Sequence, residues 1–162
     1  MGDFTQCMTV ILAEEGGLAH HHRDPGGLTK FGISQRAYPN LDIASLTREQ
    51  ALSIYRADYW MKINGDALPA GLDLLVLDTA INMGCLTATM MLQDALCITM
   101  DGQIGPITLA HANKALPTLL GNYCALRAWR YEINRNEDAF GKGWFRRLFR
   151  IFALARDWSL TP

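Results

Sequence analysis

Leu72-Asp73-Leu74-Leu75-Val76-Leu77-Asp78-Thr79-Ala80-Ile81-Asn82-Met83 is apolar throughout except at Asp73, Asp78, Thr79 and Asn82. A helix that is hydrophobic nearly all round belongs in the middle of a protein, so this segment reads as a central buried helix. Before it, Gly65 to Gly71 with Pro69 is a loop, and Thr47-Arg48-Glu49-Gln50 is a capping-box start. The helix that box opens runs to about Lys62, with Ala51, Ile54, Tyr55 and Tyr59 on one side. After it, Thr87 to Leu96 forms another helix. Asp101-Gly102-Gln103-Ile104-Gly105-Pro106 is a turn starting a short helix, with Pro106 in its first turn. Pro117 begins a long helix toward Asn134, and Phe140 to Trp158 forms the last. Thr29 to Ser34, bracketed by Gly26-Gly27 and Tyr38-Pro39-Asn40, is a short extended or hairpin segment. No repeat, low-complexity stretch or Pro/Ser-rich linker divides the chain, so the expectation is one compact, mainly α domain with a small β element.

Composition agrees with that size and class. The chain has 162 residues, enough for one well-buried core and short for two independent domains. Hydrophobic residues make up 49% and charged residues 19%, which excludes a disordered chain. No apolar run approaches the roughly 20 residues of a membrane span, so stable membrane insertion is not expected. Met1-Gly2-Asp3-Phe4-Thr5-Gln6 lacks a basic start and an uninterrupted apolar run, so no cleavable secretion signal is read and synthesis in a bacterial cytoplasm is expected. Cys7, Cys85, Cys97 and Cys124 are widely separated, form no Cys-x-x-Cys pair and mostly lie among apolar residues, the pattern of reduced core thiols.

The N-terminal helix carries the chemistry. Phe4, Cys7, Met8, Ile11 and Leu12 recur at the spacing of one helix face, and Glu15 continues that series. Glu14 sits roughly 100° away and should be solvated. Gly16-Gly17 supplies a residue that adopts positive φ and ends the helix in a left-handed cap. A carboxyl in that last turn, partly buried and near the negative end of the helix dipole, has its proton affinity raised toward what a general acid needs. The competing reading is a surface Glu at a frayed helix end.

Charge is unevenly spread. Residues 127 to 157 hold eight basic side chains against four acidic ones, in a chain whose net charge is −1. Such a segment could attract an anionic polymer, nucleic acid or cell wall, but the favoured reading is the solvated face of an amphipathic helix.

Glu15-Gly16-Gly17, followed by Asp24-Pro25-Gly26-Gly27-x-Thr29-x-x-Gly32-Ile33, resembles the opening signature of the glycoside hydrolase family 108 muramidases, which include phage-type endolysins and secretion-associated lysozymes. Further similar blocks follow in family order: Tyr55-Arg56-x-x-Tyr59-Trp60, Asp78-x-x-Ile81-Asn82-x-Gly84, Leu92-Gln93, Asp101-Gly102-x-Ile104-Gly105-Pro106-x-Thr108 and Gly143-Trp144-x-x-Arg147. The resemblance spans nearly the whole chain. It implies a lysozyme-like α+β fold, with residues 1–85 as the catalytic region and 86–162 as a helical region holding a peptidoglycan-binding-like turn.

It also implies hydrolysis of the β-1,4 bond between N-acetylmuramic acid and N-acetylglucosamine, with Glu15 as catalytic acid. The spacing of Glu15, Asp24 and Thr29 is similar to the Glu-Asp-Thr triad of other phage-type lysozymes, where the Thr lies one residue further on. A protonated Glu gives its proton to the glycosidic oxygen, a second carboxylate stabilises developing positive charge or activates water, and a hydroxyl orients that water. Asp24 has a competing role, since Asp before Pro-Gly-Gly also caps turn amides.

Where the family often carries an aromatic residue followed by Asn, Asp and Pro-like residues, this chain has Leu18-Ala19-His20-His21-His22-Arg23. Adjacent histidines point in different directions and no further ligands accompany them, so His20 and its neighbours read as a cationic rim facing substrate and no metal is expected. Asp78 and Asn82, one turn apart on one helix face, are candidate substrate contacts; Asn82 could hydrogen-bond a sugar N-acetyl group or, as a buried Asn, tie helices together. Tyr38 and Tyr131 could stack on sugar rings, with packing the favoured reading for each.

No cofactor is implied. The expected partner is bacterial peptidoglycan, reached from the cytoplasm after release or export through a holin or export apparatus. Nucleic acid is not expected as a partner, and a monomer is the default. The alternative is a non-catalytic peptidoglycan-binding or secretion-assistance protein on the same fold.

Overall fold

A computed structural model of the chain describes residues 1–15, 28–134 and 137–160. The side chains of Glu15, Pro117 and residues 137–140 lie outside that description, as do His20, Asp24 and the Gly16-Gly17 cap. The order of elements is α1 (Phe4–Glu15), β1 (Thr29–Lys30), β2 (Ile33–Ser34), α2 (Arg48–Tyr55), a π turn (Arg56–Trp60), a short 3-10 turn (Gly65–Ala67), α3 (Leu72–Met83), α4 (Cys85–Ala95), α5 (Pro106–Glu132) and α6 (Glu137–Ser159). Among the described residues the fold is mainly α with one two-stranded antiparallel hairpin, as the sequence pattern predicts.

The segment that reads as a central helix is one. Every residue of α3 from Leu72 to Ala80 is buried, and α3 packs against α1, α4, α5 and α6. Its start is tied to the start of α1: the Asp73 carboxylate accepts from the Asp3 backbone N–H at 3.0 Å and from the Cys7 thiol at 3.4 Å. Asp3 in turn accepts from the Gln6 N–H, capping the first turn of α1. Gly71, at φ +85°, leads into α3, and a Cβ there would collide with the Ala155 carbonyl of α6. Backbone of α6 therefore rests directly on the start of the central helix.

Two sequence expectations change. The helix after Pro106 is not short, because α5 runs unbroken from Pro106 to Glu132 through Pro117. Proline removes one backbone N–H but fixes a helical φ, and Ala112, Leu119, Leu120 and Tyr123 bury the helix on both sides of that gap. The second change concerns α2. Its capping box is present, with Gln50 N–H donating to Thr47 Oγ1 at 3.2 Å and Thr47 N–H to Gln50 Oε1 at 2.8 Å. Its last turn, however, widens to π, with Met61 N–H reaching Arg56 C=O at 2.9 Å, five residues back. The extra residue puts Trp60 in the core in place of Tyr59, which stays half-buried. Trp60 packs edge-on to Phe4 at 5.5 Å, and Gly65 is needed beside it because a Cβ would enter the indole ring.

The Asp101 to Pro106 turn is held from inside. Gln93 of α4 donates to Asp101 Oδ1 at 2.6 Å and to the Gln103 carbonyl at 3.0 Å, and accepts from the Gly102 N–H at 2.9 Å. Among the described residues no helix is long and apolar enough to cross a membrane.

Candidate active site

Residue 15 is the last of α1, at the end of a helix whose Cys7, Met8 and Ile11 are buried. The neighbouring Glu14 is not solvated as its position predicts. Its side chain is 11% exposed and its carboxylate pairs with the Arg150 guanidinium of α6 at 2.9 Å, so the end of α1 is tied to the C-terminal helix.

Thr29 begins the hairpin. Phe31 at φ 53° and Gly32 at φ 77° form a two-residue turn of the left-handed kind that suits the twist of short strands. The Tyr55 hydroxyl donates to the Phe31 carbonyl at 2.9 Å, and Lys30 Nζ donates to the Ala44 carbonyl at 2.8 Å, so two bonds dock the hairpin on the rest of the protein. Ile33 is its buried anchor. The Gln35 amide then donates to the carbonyls of Tyr38, Pro39 and Leu41, between 2.8 and 3.2 Å, shaping the loop that presents Tyr38.

The Tyr38 hydroxyl donates to Asp58 Oδ2 at 2.8 Å, and Lys62 Nζ stands 3.6 Å from Asp58 Oδ1. Burial, with the carboxylate bond second, pushes the Tyr38 hydroxyl pKa well above its ordinary value, so it stays a donor. Ala37, Tyr38, Asp58, Tyr59, Lys62 and Cys85 line a hollow of about 490 Å³. A second hollow of about 420 Å³, which Ala37 and Tyr38 also line, runs along Pro39, Asn40, Leu41 and Ile54. Asp58 and Lys62 are missed by sequence reasoning. Asp58 occupies an unmatched position inside the Tyr55-Arg56-x-x-Tyr59-Trp60 block, and the available signal was two large aromatics, Tyr55 and Trp60, five residues apart.

The remaining described candidates, Asp78, Tyr131 and Asn82, separate. Asp78 is fully buried, which corrects its reading as a substrate contact. Its carboxylate is taken by Arg127 Nη1 at 2.6 Å and by Arg147 through Nε at 2.9 Å and Nη2 at 2.8 Å. Tyr131 is buried and packs, as its favoured reading has it, so its stacking on a sugar is corrected: its ring lies 5.4 Å from Trp144 and 5.6 Å from Phe145, and its hydroxyl accepts from Arg127 Nε at 2.8 Å. Burial, the largest single influence, lowers the Arg127 pKa, but the Asp78 carboxylate with the Tyr131 and Tyr123 hydroxyls together raise it above its ordinary value. Asn82 is exposed, donates to the Asp78 carbonyl at 2.7 Å, and borders a hollow with Met83, Thr87, Arg130, Ile133 and Asn134.

Of the basic segment, Arg127 is thus fully buried and Arg147 half-buried, while Arg130, Lys142, Arg146, Arg150 and Arg156 face solvent. The described cysteines are unbridged, and among the described residues no three His, Cys, Asp or Glu side chains converge as metal ligands.

The glycosyl hydrolase 108 family matches residues 8–84, from α1 through the hairpin and the π turn to the end of α3. A solved structure, that of Brucella abortus SagA, is 35% identical, covers 98% of this chain and 96% of its own, and superposes with a TM-score of 0.88. The chain belongs to glycosyl hydrolase family 108. At family level it is therefore a peptidoglycan hydrolase of the lysozyme type. No curated protein sequence matches it. The family match ends at Gly84, one residue before α4, whereas the likeness to SagA continues through α4, α5 and α6.

Proposed function

We propose that this protein is a muramidase that cleaves the β-1,4 bond between N-acetylmuramic acid and N-acetylglucosamine, with Glu15 as general acid. The observation that carries the reading is that the family match covers the elements around the candidate site: α1 ending at Glu15, the hairpin beginning at Thr29, and the π turn bearing Asp58. A glycosidic oxygen is a poor leaving group until protonated, and a carboxyl in the last turn of a helix is disfavoured as an anion, so Glu15 suits the donor role. Thr29, half-buried at the start of a docked strand, has the rigidity needed to orient a water. Asp24 would stabilise the oxocarbenium-like charge or activate that water. Tyr38, Asn82 and the cationic His20 segment would contact the glycan. The enzyme would act on the wall as a monomer after release or export, without metal or cofactor.

The test is turbidity loss and muropeptide release from purified sacculi. Wild type should be active and Glu15→Gln should lose activity by at least about a hundredfold, the scale of a general-acid contribution. Equal activity of the two would sink the role of Glu15. A folded but inactive wild type on several wall chemotypes would favour a binding protein.

A further inference from the structure

The outward side of α6 carries a row of side chains that the core does not use. Lys142, Arg146, Phe149, Ala153, Arg156 and Leu160 recur at alternating steps of four and three residues, the period of one helix face, and all of them are exposed. The opposite side of the helix is committed to the interior, where Leu148, Ile151 and Ala155 are buried. Within the row three cations alternate with two large apolar groups open to water, Phe149 at 65% and Leu160 at 68% exposure. Exposed apolar side chains scattered singly need no account, but these two stand in the cationic row itself. The Phe149 ring also stacks on Phe145 at 6.4 Å, one turn earlier, so it is held in place on the surface. Beside the row lie Arg150, which is engaged by Glu14 of α1, and the exposed acid Asp157.

We infer that this side of α6 is a docking surface for an anionic phospholipid bilayer, on which the protein lies reversibly without entering it. Charge complementarity is the first argument. Lys142, Arg146 and Arg156 span about 21 Å of helix axis, and each cation held near a negatively charged bilayer adds attraction. Outside residues 127–157 the chain carries a net negative charge, so the same surface repels the other sides of the molecule and turns this one toward it. The apolar members of the row decide what kind of anion it meets. A bilayer offers negative headgroups with hydrocarbon directly beneath, where the Phe149 ring and the Leu160 side chain leave water while the cations stay among the phosphates. An anionic polymer offers the charge without that apolar layer and leaves Phe149 and Leu160 exposed. Because the inner side of α6 stays in the core, docking requires no unfolding, and no helix among the described residues is long and apolar enough to cross the membrane. The inference is independent of which bond the protein cleaves.

The experiment is cosedimentation of the full chain with large vesicles, one set of phosphatidylcholine alone and one of phosphatidylcholine with an equal part of phosphatidylglycerol, beside a titration with heparin as the polymer probe. Wild type should sediment with the mixed vesicles, stay in solution with phosphatidylcholine, and be released by added salt. Arg146→Ser and Arg156→Ser should each weaken vesicle binding by about fivefold, the effect of one cation near such a surface. Phe149→Ser should weaken vesicle binding by about tenfold, the scale of partly burying one aromatic ring, and leave any heparin affinity unchanged. All three side chains are exposed, so the variants should keep the wild-type Tm, which is measured alongside. Failure of wild type to sediment with the mixed vesicles overturns the proposal. So does equal binding to both vesicle types, or binding that the three folded variants leave unaltered. Tight heparin binding with a vesicle affinity indifferent to Phe149→Ser would show a polymer-binding face instead, and overturns it as well.

Discussion

Asp78 is the residue on which the C-terminal half turns. One fully buried carboxylate holds two guanidiniums, Arg127 from α5 and Arg147 from α6, and Arg127 also donates to Thr79 Oγ1 at 3.2 Å. Removing the acid would leave the fully buried Arg127 and the half-buried Arg147 without their counter-charge, which costs far more than the pair contributes over an apolar replacement. Asp78→Asn is expected to lose about 3–5 kcal/mol of stability in urea unfolding. A loss under about 1 kcal/mol would mean that the two arginines find other partners.

Asp73, at the other end of α3, gives a pH-dependent expectation. Burial raises its pKa, and the N–H groups of Asp3 and Leu74 offset that only in part. The folded state therefore holds the Asp73 proton more tightly than the unfolded chain does. Its contribution to stability is complete below the ordinary carboxyl range and is lost as pH rises through the raised folded value. The Tm of Asp73→Asn minus that of wild type should climb with pH across that acidic window and then level off. A difference that is flat with pH would refute the assignment.

Neither role was legible in the sequence. A polar residue in an apolar helix announces that it has a partner but not which one, and Arg147 lies 69 residues away. Glu14 failed for the same reason, since helical angle says which way a side chain leaves its own helix and nothing about a second helix, α6, lying there.

Among the elements, those set by neighbouring residues were read well. The capping box of α2 and the Phe31-Gly32 turn both follow from local hydrogen bonding and from the left-handed tolerance of glycine. Thr47→Ala should cost about 1 kcal/mol, measurable as a lowered unfolding midpoint with an unchanged denaturant slope. The π turn was not legible. One extra residue in a helical turn weakens local bonding, and it persists here because Trp60 gains a core position against Phe4 and Gly65. Its consequence is the placement of Asp58 and Tyr59, so the hollow they line was hidden along with it. From sequence alone, Asp58 and Lys62 are an ordinary i, i+4 pair on a solvated helix face. Pro117 misled in the opposite sense: proline is a local helix breaker, but packing along α5 overrides it.

At the scale of the whole molecule, α3 is the axis and α6 the clasp. The last helix touches the start of α3 through Ala155 against Gly71, its middle through Arg147 on Asp78, and the end of α1 through Arg150 on Glu14. Its own face is plainly amphipathic, with Leu148, Ile151 and Ala155 buried. Gly71→Ala, which meets both a positive φ and the Ala155 carbonyl, should lower Tm by several degrees and loosen α6 in amide exchange. Retention of wild-type Tm would show that the two helices separate without cost.

What the sequence by itself determined is the helical class, the single domain, the hairpin, the central helix and, through the Glu15 to Ile33 pattern with the blocks after it, the family. Those depend on periodicity and turn chemistry, which act over a few residues and are written in consecutive letters. Only the tertiary structure decided which charges are interior, where the helix of residues 48–60 widens, and which side chains share the hollow beside Tyr38. These depend on groups distant in sequence being desolvated together, and the free energy of such contacts leaves no trace in the local pattern.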